Sequence, residues 1–320
     1  MVMTENWVVW FNGEIIPETE ARVPFRDRGF KYGDAAFDTT RTFGHRIFKL
    51  DDHLDRFYRS LNYLRIDPGI SKEELKKATE EIAEINLRNV SEDEDIWLTQ
   101  RITRGLEPAD RRLWTEYPER TILVESRPLP FRDRGKFYRD GLRVRTPSVR
   151  RPAPDTLSPR AKTHNYLNLI IAELEVKDAD PEAHALLLDT NGNLAEGKGS
   201  NIFIIKDGVV LTPKERYVLP GVSRQTAIDL AREKNLPVKE ADIDLFDTMN
   251  AEEVFITSTS FCICPVSNVN GVEIGDGSIP GPITKQLIDA YVDMWDAIGM
   301  GSISAFKFLI YHIETHLGPA

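Results

Sequence analysis

Cysteine is nearly absent from this 320-residue chain, which has only Cys262 and Cys264. Two cysteines one residue apart build no disulfide framework, and no second pair completes a zinc site. They read as small residues on one face of a strand, in a reducing compartment. Excess positive charge is missing too. With 41 Lys+Arg against 51 Asp+Glu the formal charge is −10, which argues against nucleic acid or an anionic membrane as partner. No apolar run reaches the roughly 20 residues that span a bilayer. The apolar stretch 298–312 is broken by Gly299, Gly301 and Lys307 and reads as a terminal helix. Thr4, Glu5 and Asn6 precede a short apolar stretch, unlike a secretory signal, so the expected location is the cytoplasm. Internal repeats and low-complexity segments are lacking. What is present is a globular composition, 41% hydrophobic and 29% charged, long enough for two domains.

Turn chemistry and apolar period place elements along the chain. Val8, Val9 and Phe11, then Asn12-Gly13, then Ile15 and Ile16 read as a β-hairpin with a two-residue turn. Alternation around Gly44-His45 reads as a second hairpin. Leu54, Phe57, Leu61 and Leu64 fall at the helical period and predict a helix over 50–64, with Asp51-Asp52 suited to its cap and dipole. Ser71-Lys72-Glu73-Glu74 predicts a capping box at the head of a helix over 71–88. Strands are expected over 96–103 and 121–125. Prolines 128, 130, 147, 152, 154 and 159 then punctuate a basic stretch, read as a connection plus a strand over 142–146. Beyond it come helices over 165–176, 223–234 and 283–295, hairpins at Asn191-Gly192 and Asp207-Gly208, and a strand over 254–257. The expected organisation is two α+β domains, 1–127 and 136–320, joined by a linker over 128–135.

Four places carry candidate chemistry. Lys162 precedes a helix expected to begin near Thr163, and Tyr166 follows four residues later, where the two side chains could share a helical face. A single lysine is most often solvated surface; beside apolar residues it loses its proton more easily, as a covalent-catalysis lysine must. Leu219-Pro220-Gly221-Val222-Ser223-Arg224 enters a helix with Ser223 as its expected N-cap, and first-turn amides there would form an anion site. Any capped helix shows something similar. Thr257-Ser258-Thr259-Ser260 could complete a phosphate cradle or simply solvate a loop. Glu196, between Ala195 and Gly197, is either solvated or drawn into a buried role by the tight path its glycines allow. No metal-ligating cluster stands out.

Taken in order, these stretches resemble the fold-type IV, or class IV, aminotransferases that use pyridoxal 5'-phosphate (PLP). That group includes the branched-chain, D-amino-acid and (R)-amine transaminases. The carriers are Tyr32-Gly33-Asp34-Ala35-Ala36-Phe37-Asp38, Leu50-Asp51-Asp52-His53-Leu54-Asp55-Arg56, Ala161-Lys162-Thr163-His164-Asn165-Tyr166, Leu194-Ala195-Glu196-Gly197, Leu219-Pro220-Gly221-Val222-Ser223-Arg224 and Gly281-Pro282-Ile283-Thr284-Lys285. The resemblance implies a smaller N-terminal α/β domain, a larger C-terminal PLP-binding domain and a cofactor in the cleft between them. It implies that Lys162 carries PLP covalently and shuttles the proton at the substrate Cα. Glu196 would pair with the pyridine nitrogen and Tyr166 would hydrogen-bond the ring hydroxyl. Arg56, Val222, Ser223, Ser258 and Thr259 would hold the phosphate. A homodimer or larger homo-oligomer is implied by the same resemblance.

Substrate residues depart from each subfamily. The Tyr-x-Arg of branched-chain enzymes is replaced by Ile96-Trp97-Leu98, and the Arg and His that follow Thr-Arg-Gly in D-amino-acid enzymes fall at Ala109 and Arg111. Arg41 and Arg111 are therefore the candidates for a substrate carboxylate. Tyr32, Phe37, Trp97 and Phe131 would line an apolar pocket, or belong to the plain core. The expected activity is amino transfer between a hydrophobic amino acid or amine and a 2-oxo acid, with (R)-amine or D-amino-acid donors included. The alternatives are an aminodeoxychorismate-lyase-type PLP lyase and, in a different class, a non-catalytic binding protein.

Overall fold

A computed structural model describes residues 7–107, 119–130 and 132–297. The chain forms two compact units, Met1–Leu129 with Ala161–Asn165, and Pro130–Arg160 with Tyr166–Ala320.

The first unit contains β1 (Val8–Phe11), β2 (Glu14–Pro17), α1 (Arg28–Tyr32), β3 (Ala35–Phe43), β4 (Arg46–Ile47), α2 (Leu50–Leu64), α3 (Lys72–Asn86), β5 (Ile96–Thr103) and β6 (Ile122–Pro128). Its strands form one antiparallel sheet in the order β2-β1-β6-β5-β3-β4. Asn12 and Gly13 both take positive φ, as the tight β1–β2 turn requires. The apolar stripe of α2 buries Leu54, Phe57 and Leu61 with Leu75 and Ile82 of α3 against Ile96, Leu98 and Ile102 of β5. Each such side chain contributes on the order of 1.5–3 kcal/mol. Ser71 and Glu74 form the expected capping box. The cap of α2 differs from the sequence expectation. Lys49, in a left-handed conformation, occupies the N-cap without a side-chain bond, while Asp51 and Asp52 lie in the first turn and act only through the helix dipole.

Residues 161–165 lie in the first unit, not with the C-terminal domain in which the sequence places them. The reason is a backbone ladder on the free edge at the start of β3. Phe37 N donates to Lys162 O (3.1 Å), His164 N donates to Ala35 O (3.0 Å), and Ala36 and Thr163 form a β-bridge. Lys162 is therefore extended and the following helix begins only at Leu167, so the expected shared helical face of Lys162 and Tyr166 does not exist.

The second unit contains α4 (Gly135–Asp140), β7 (Leu142–Arg145), α5 (Leu167–Ala179), β8 (His184–Leu188), β9 (Leu194–Gly197), β10 (Asn201–Lys206), β11 (Val209–Pro213), α6 (Val222–Glu233), β12 (Val238–Ala241), α7 (Leu245–Met249), β13 (Glu253–Ser258), β14 (Cys262–Val269), β15 (Val272–Glu273) and α8 (Pro282–Ala297). The path β10-β13-β14-β7-β8-β9 closes on itself, because β9 pairs with β10 at Glu196 and Asn201. Ring closure thus puts Glu196 on a strand with neighbours on both edges. Cys262 and Cys264 are buried, two residues apart in β14, and not joined in a disulfide. Among the described residues no helix is long and apolar enough to cross a membrane.

Candidate active site

In the first unit the chemistry gathers at the start of β3. Side chains alternate there. Asp38 turns toward α2 and is fully buried, while Phe37 turns to the opposite face. Lys162 is fixed by its backbone, whose N–H donates to Ser60 Oγ (3.0 Å) and whose carbonyl accepts from Phe37 N. Its Nζ lies 4.6 Å from the centroid of the Phe37 ring. Arg101, the register partner of Phe37 on β5, has its guanidinium carbon 5.1 Å from the same ring.

Beneath Phe37, α2 presents His53, Arg56 and Ser60 on one buried face. Asp38 accepts from Arg56 Nε (2.8 Å), Arg56 Nη2 (2.6 Å) and His53 Nδ1 (2.8 Å). Burial pushes the Asp38 carboxyl up, but the Arg56 charge and the hydrogen bonds from His53 and Arg56 more than reverse this and hold it far below the usual range. Burial pushes His53 down, so the pair at neutral pH is a carboxylate and a neutral imidazole.

His164 Nε2 lies 3.3 Å from Arg101 Nη1, and its ring meets Phe37 edge-on at 5.5 Å. Burial, then the Arg101 charge, lowers its pKa to about 4. The unfolded chain takes up this proton near pH 6.5 and the folded chain only near 4, so stability is lost as pH falls between those values. The free-energy difference between wild type and His164→Gln, measured by urea unfolding, is expected to change by about 1–3 kcal/mol from pH 7 to pH 4. A pH-independent difference would show that the folded imidazole titrates normally.

The second unit holds Glu196, 4% exposed. Its Oε1 accepts from Arg151 Nε (2.7 Å), and its Oε2 accepts from Leu219 N (3.0 Å) and Asn201 Nδ2 (3.4 Å). Asn201 Nδ2 also donates to Leu219 O. Gly221 is needed beside it, since a Cβ at 221 would lie 2.2 Å from Asn201 Oδ1. Gly221, not Ser223, is the N-cap of α6, and it offers no side-chain acceptor to the first-turn amides. Val222 and Ser223 are buried in that turn. Thr257 Oγ1, on the strand beside Asn201, is buried without a hydrogen-bond partner. Ser258 Oγ accepts from Phe261 N. Tyr166 occupies the N-cap of α5 and packs against the cluster of Leu169, Ala172 and Val176.

An uncapped helix N-terminus, an orphaned buried hydroxyl and a buried carboxylate linked to that helix through Asn201 fit the two ends of PLP. The helix suits its phosphate and the carboxylate suits its pyridinium. Sequence reasoning misses Arg151 and Asn201. Arg151 lies in the irregular proline-punctuated stretch, where nothing distinguishes it from Arg150. Asn201 has a weak signal, the tight Glu196-Gly197-Lys198-Gly199-Ser200-Asn201 path.

The substrate candidates fall differently. Phe37 meets Lys162. Trp97 lies on the same sheet face, under the guanidinium of Arg127 at 4.6 Å. Tyr32 is 53% exposed on α1, beside Arg28 and Lys31, with its hydroxyl 3.4 Å from Glu107. Arg41 does not fit the carboxylate role. It is 2% exposed at the far end of β3, with its Nε bonded to Thr42 O and its guanidinium facing Asp95 at 3.7 Å. Four strand residues, roughly 13 Å, separate it from Phe37. Arg111 and Phe131 lie outside the described residues.

The amino-transferase class IV family matches residues 35–269, and the chain belongs to that family. Its members use PLP, and the protein is a transaminase of fold type IV. A relative from Methanocaldococcus jannaschii, provisionally named a branched-chain-amino-acid aminotransferase, is 35% identical over 89% of this chain and 96% of its own. The D-alanine aminotransferase of Listeria monocytogenes is 32% identical over 89% of this chain and 95% of its own. Among solved structures, the branched-chain aminotransferase of the thermophilic archaeon Thermoproteus uzoniensis, with norvaline, superposes with a TM-score of 0.80. It is 26% identical, and the match covers 93% of this chain and 97% of that one.

Proposed function

We propose that the protein moves amino groups between hydrophobic amino acids and 2-oxo acids as a branched-chain-type aminotransferase, with D-amino acids or (R)-amines as further donors. The observation that carries this reading is the buried Glu196 carboxylate, tied through Asn201 to the open N-terminus of α6. Phe37 and Trp97 on one sheet face supply apolar surface for the substrate side chain, with Tyr32 and Phe131 as further lining. The branched-chain and D-alanine names of the relatives support branched-chain and D-amino-acid donors.

When bound, PLP supplies a carbonyl that accepts the amino group and a ring that delocalises the electron pair left at Cα. Lys162 removes and returns the proton at the substrate Cα. Glu196, fixed by Arg151, keeps a proton at the pyridine nitrogen, and Tyr166 donates to the ring hydroxyl. Arg56, the Val222 and Ser223 amides, and the Ser223, Ser258 and Thr259 side chains bind the phosphate. A cytoplasmic homodimer or larger homo-oligomer completes the proposal.

The test is a donor panel of L- and D-amino acids and both enantiomers of 1-phenylethylamine, against pyruvate and 2-oxoglutarate. Transfer from hydrophobic donors is expected. Release of pyruvate from aminodeoxychorismate without an amino acceptor would instead show a lyase. Glu196→Gln is expected to lower kcat by about 10²–10³-fold, the size seen when one fixed electrostatic partner is removed. An unchanged kcat would remove Glu196 from the machinery.

A further inference from the structure

We propose that Arg101 is the receptor for the substrate carboxylate, which makes carboxylate-bearing amino acids and 2-oxo acids the preferred substrate class; this rests on the aminotransferase reading above. In an amino acid the carboxylate is one bond from the Cα on which Lys162 acts, so its receptor must lie beside Lys162. Arg101 lies within about 10 Å of the Lys162 amine, because its guanidinium carbon and Lys162 Nζ are 5.1 and 4.6 Å from the centroid of the same Phe37 ring. Arg41 is committed to Asp95, and Arg127 is stacked on Trp97, four residues from Arg101 along β5.

Arg101 is also oriented. Glu125 Oε1 accepts from its Nε (2.9 Å) and forms an ion pair with its Nη2 (2.8 Å), which fixes one edge of the fork. Its Nη1 donates to His164 Nε2, an imidazole that is neutral at working pH and adds no competing charge. Two of the five guanidinium N–H groups donate hydrogen bonds and a third faces Glu125 as an ion pair, which leaves one N–H on each terminal nitrogen with no assigned partner among the described residues. Two N–H groups on adjacent terminal nitrogens suit a carboxylate. With side-chain exposures of 34% for Arg101 and 37% for Glu125, the pair is open to a ligand rather than sealed in a core.

The test is calorimetric titration of the holoenzyme with 4-methylvalerate and with its neutral amide. For Arg101→Leu the Kd of the acid is expected to rise roughly 10–100-fold, in the range of a lost charge-assisted pair, while that of the amide moves less than threefold. Arg101→Lys, which keeps the charge but not the fork, should fall between. Glu125→Gln should retain acid binding. Parallel weakening of acid and amide, an unchanged acid Kd, or a Glu125→Gln variant that behaves like Arg101→Leu would each overturn the proposal. Failure of the parent reading looks different. Wild-type enzyme would then transfer no amino group from any donor, whatever Arg101 does to acid binding.

Discussion

Replacing Lys162 with alanine is expected to lower kcat for amino transfer by at least about 10³-fold while leaving the fold intact. Positioned proton transfer alone contributes about 10²–10⁴-fold, and loss of the amine also removes the covalent anchor of the cofactor. The fold should survive because the anchors of this segment are backbone groups, the Phe37–Lys162 ladder and the bond to Ser60 Oγ. Loss of the cation–π contact with Phe37 costs on the order of 0.5–1 kcal/mol. Circular dichroism should therefore match wild type, while the absorbance band of the PLP-loaded enzyme near the visible–ultraviolet border disappears. A small exogenous amine should restore part of the rate. A variant that keeps a tenth of wild-type kcat would assign the proton transfer to another group.

Replacing Asp38 with alanine is expected to be the most destabilising single change in the first unit, about 3–5 kcal/mol by urea unfolding. The variant leaves the Arg56 guanidinium, 4% exposed, without its carboxylate and strands the His53 Nδ1–H. Asp38→Asn keeps an acceptor and should cost less. The pH dependence has a definite sign. The native carboxyl is held below its unfolded value, so its contribution is fully present above about pH 4 and is lost as pH falls further. The contribution of the Asp38 carboxyl to the difference between wild type and Asp38→Ala should then narrow as pH falls below about 4. Inorganic phosphate or PLP should recover part of the loss if Arg56 binds the cofactor phosphate. A loss that no anion reduces would leave Arg56 as a structural cation only.

Elements with a local signal are legible in the chain. The helix at 50–64 announces itself through Leu54, Phe57, Leu61 and Leu64, the capping box through Ser71 and Glu74, and the hairpins through Asn12-Gly13 and Asp207-Gly208. β15 and α7 carry one too, the Asn270-Gly271 turn and the Asp244–Asp247 capping box, whereas strand β12 and the short helices α1 and α4 have no comparable turn or capping box. Each is a short element, held by neighbours that are distant in sequence.

The sequence by itself determined the family, the α+β class and which residue types carry the chemistry, because motifs and periodicity are properties of neighbouring positions. Only the tertiary structure decided what faces those residues. Strand pairing at β3 extended the segment around Lys162, delayed the helix expected near Thr163 to Leu167, and set the lysine against Phe37. Ring closure between β9 and β10 buried Glu196 and gave it Arg151 and Asn201 as partners. An ion pair with Asp95 holds Arg41 at the far end of β3, and the pleat turns Arg101 toward the Phe37 ring that Lys162 also meets. A carboxylate or a guanidinium can be named from its letter, but its free valence depends on every partner that folding brings within hydrogen-bond reach.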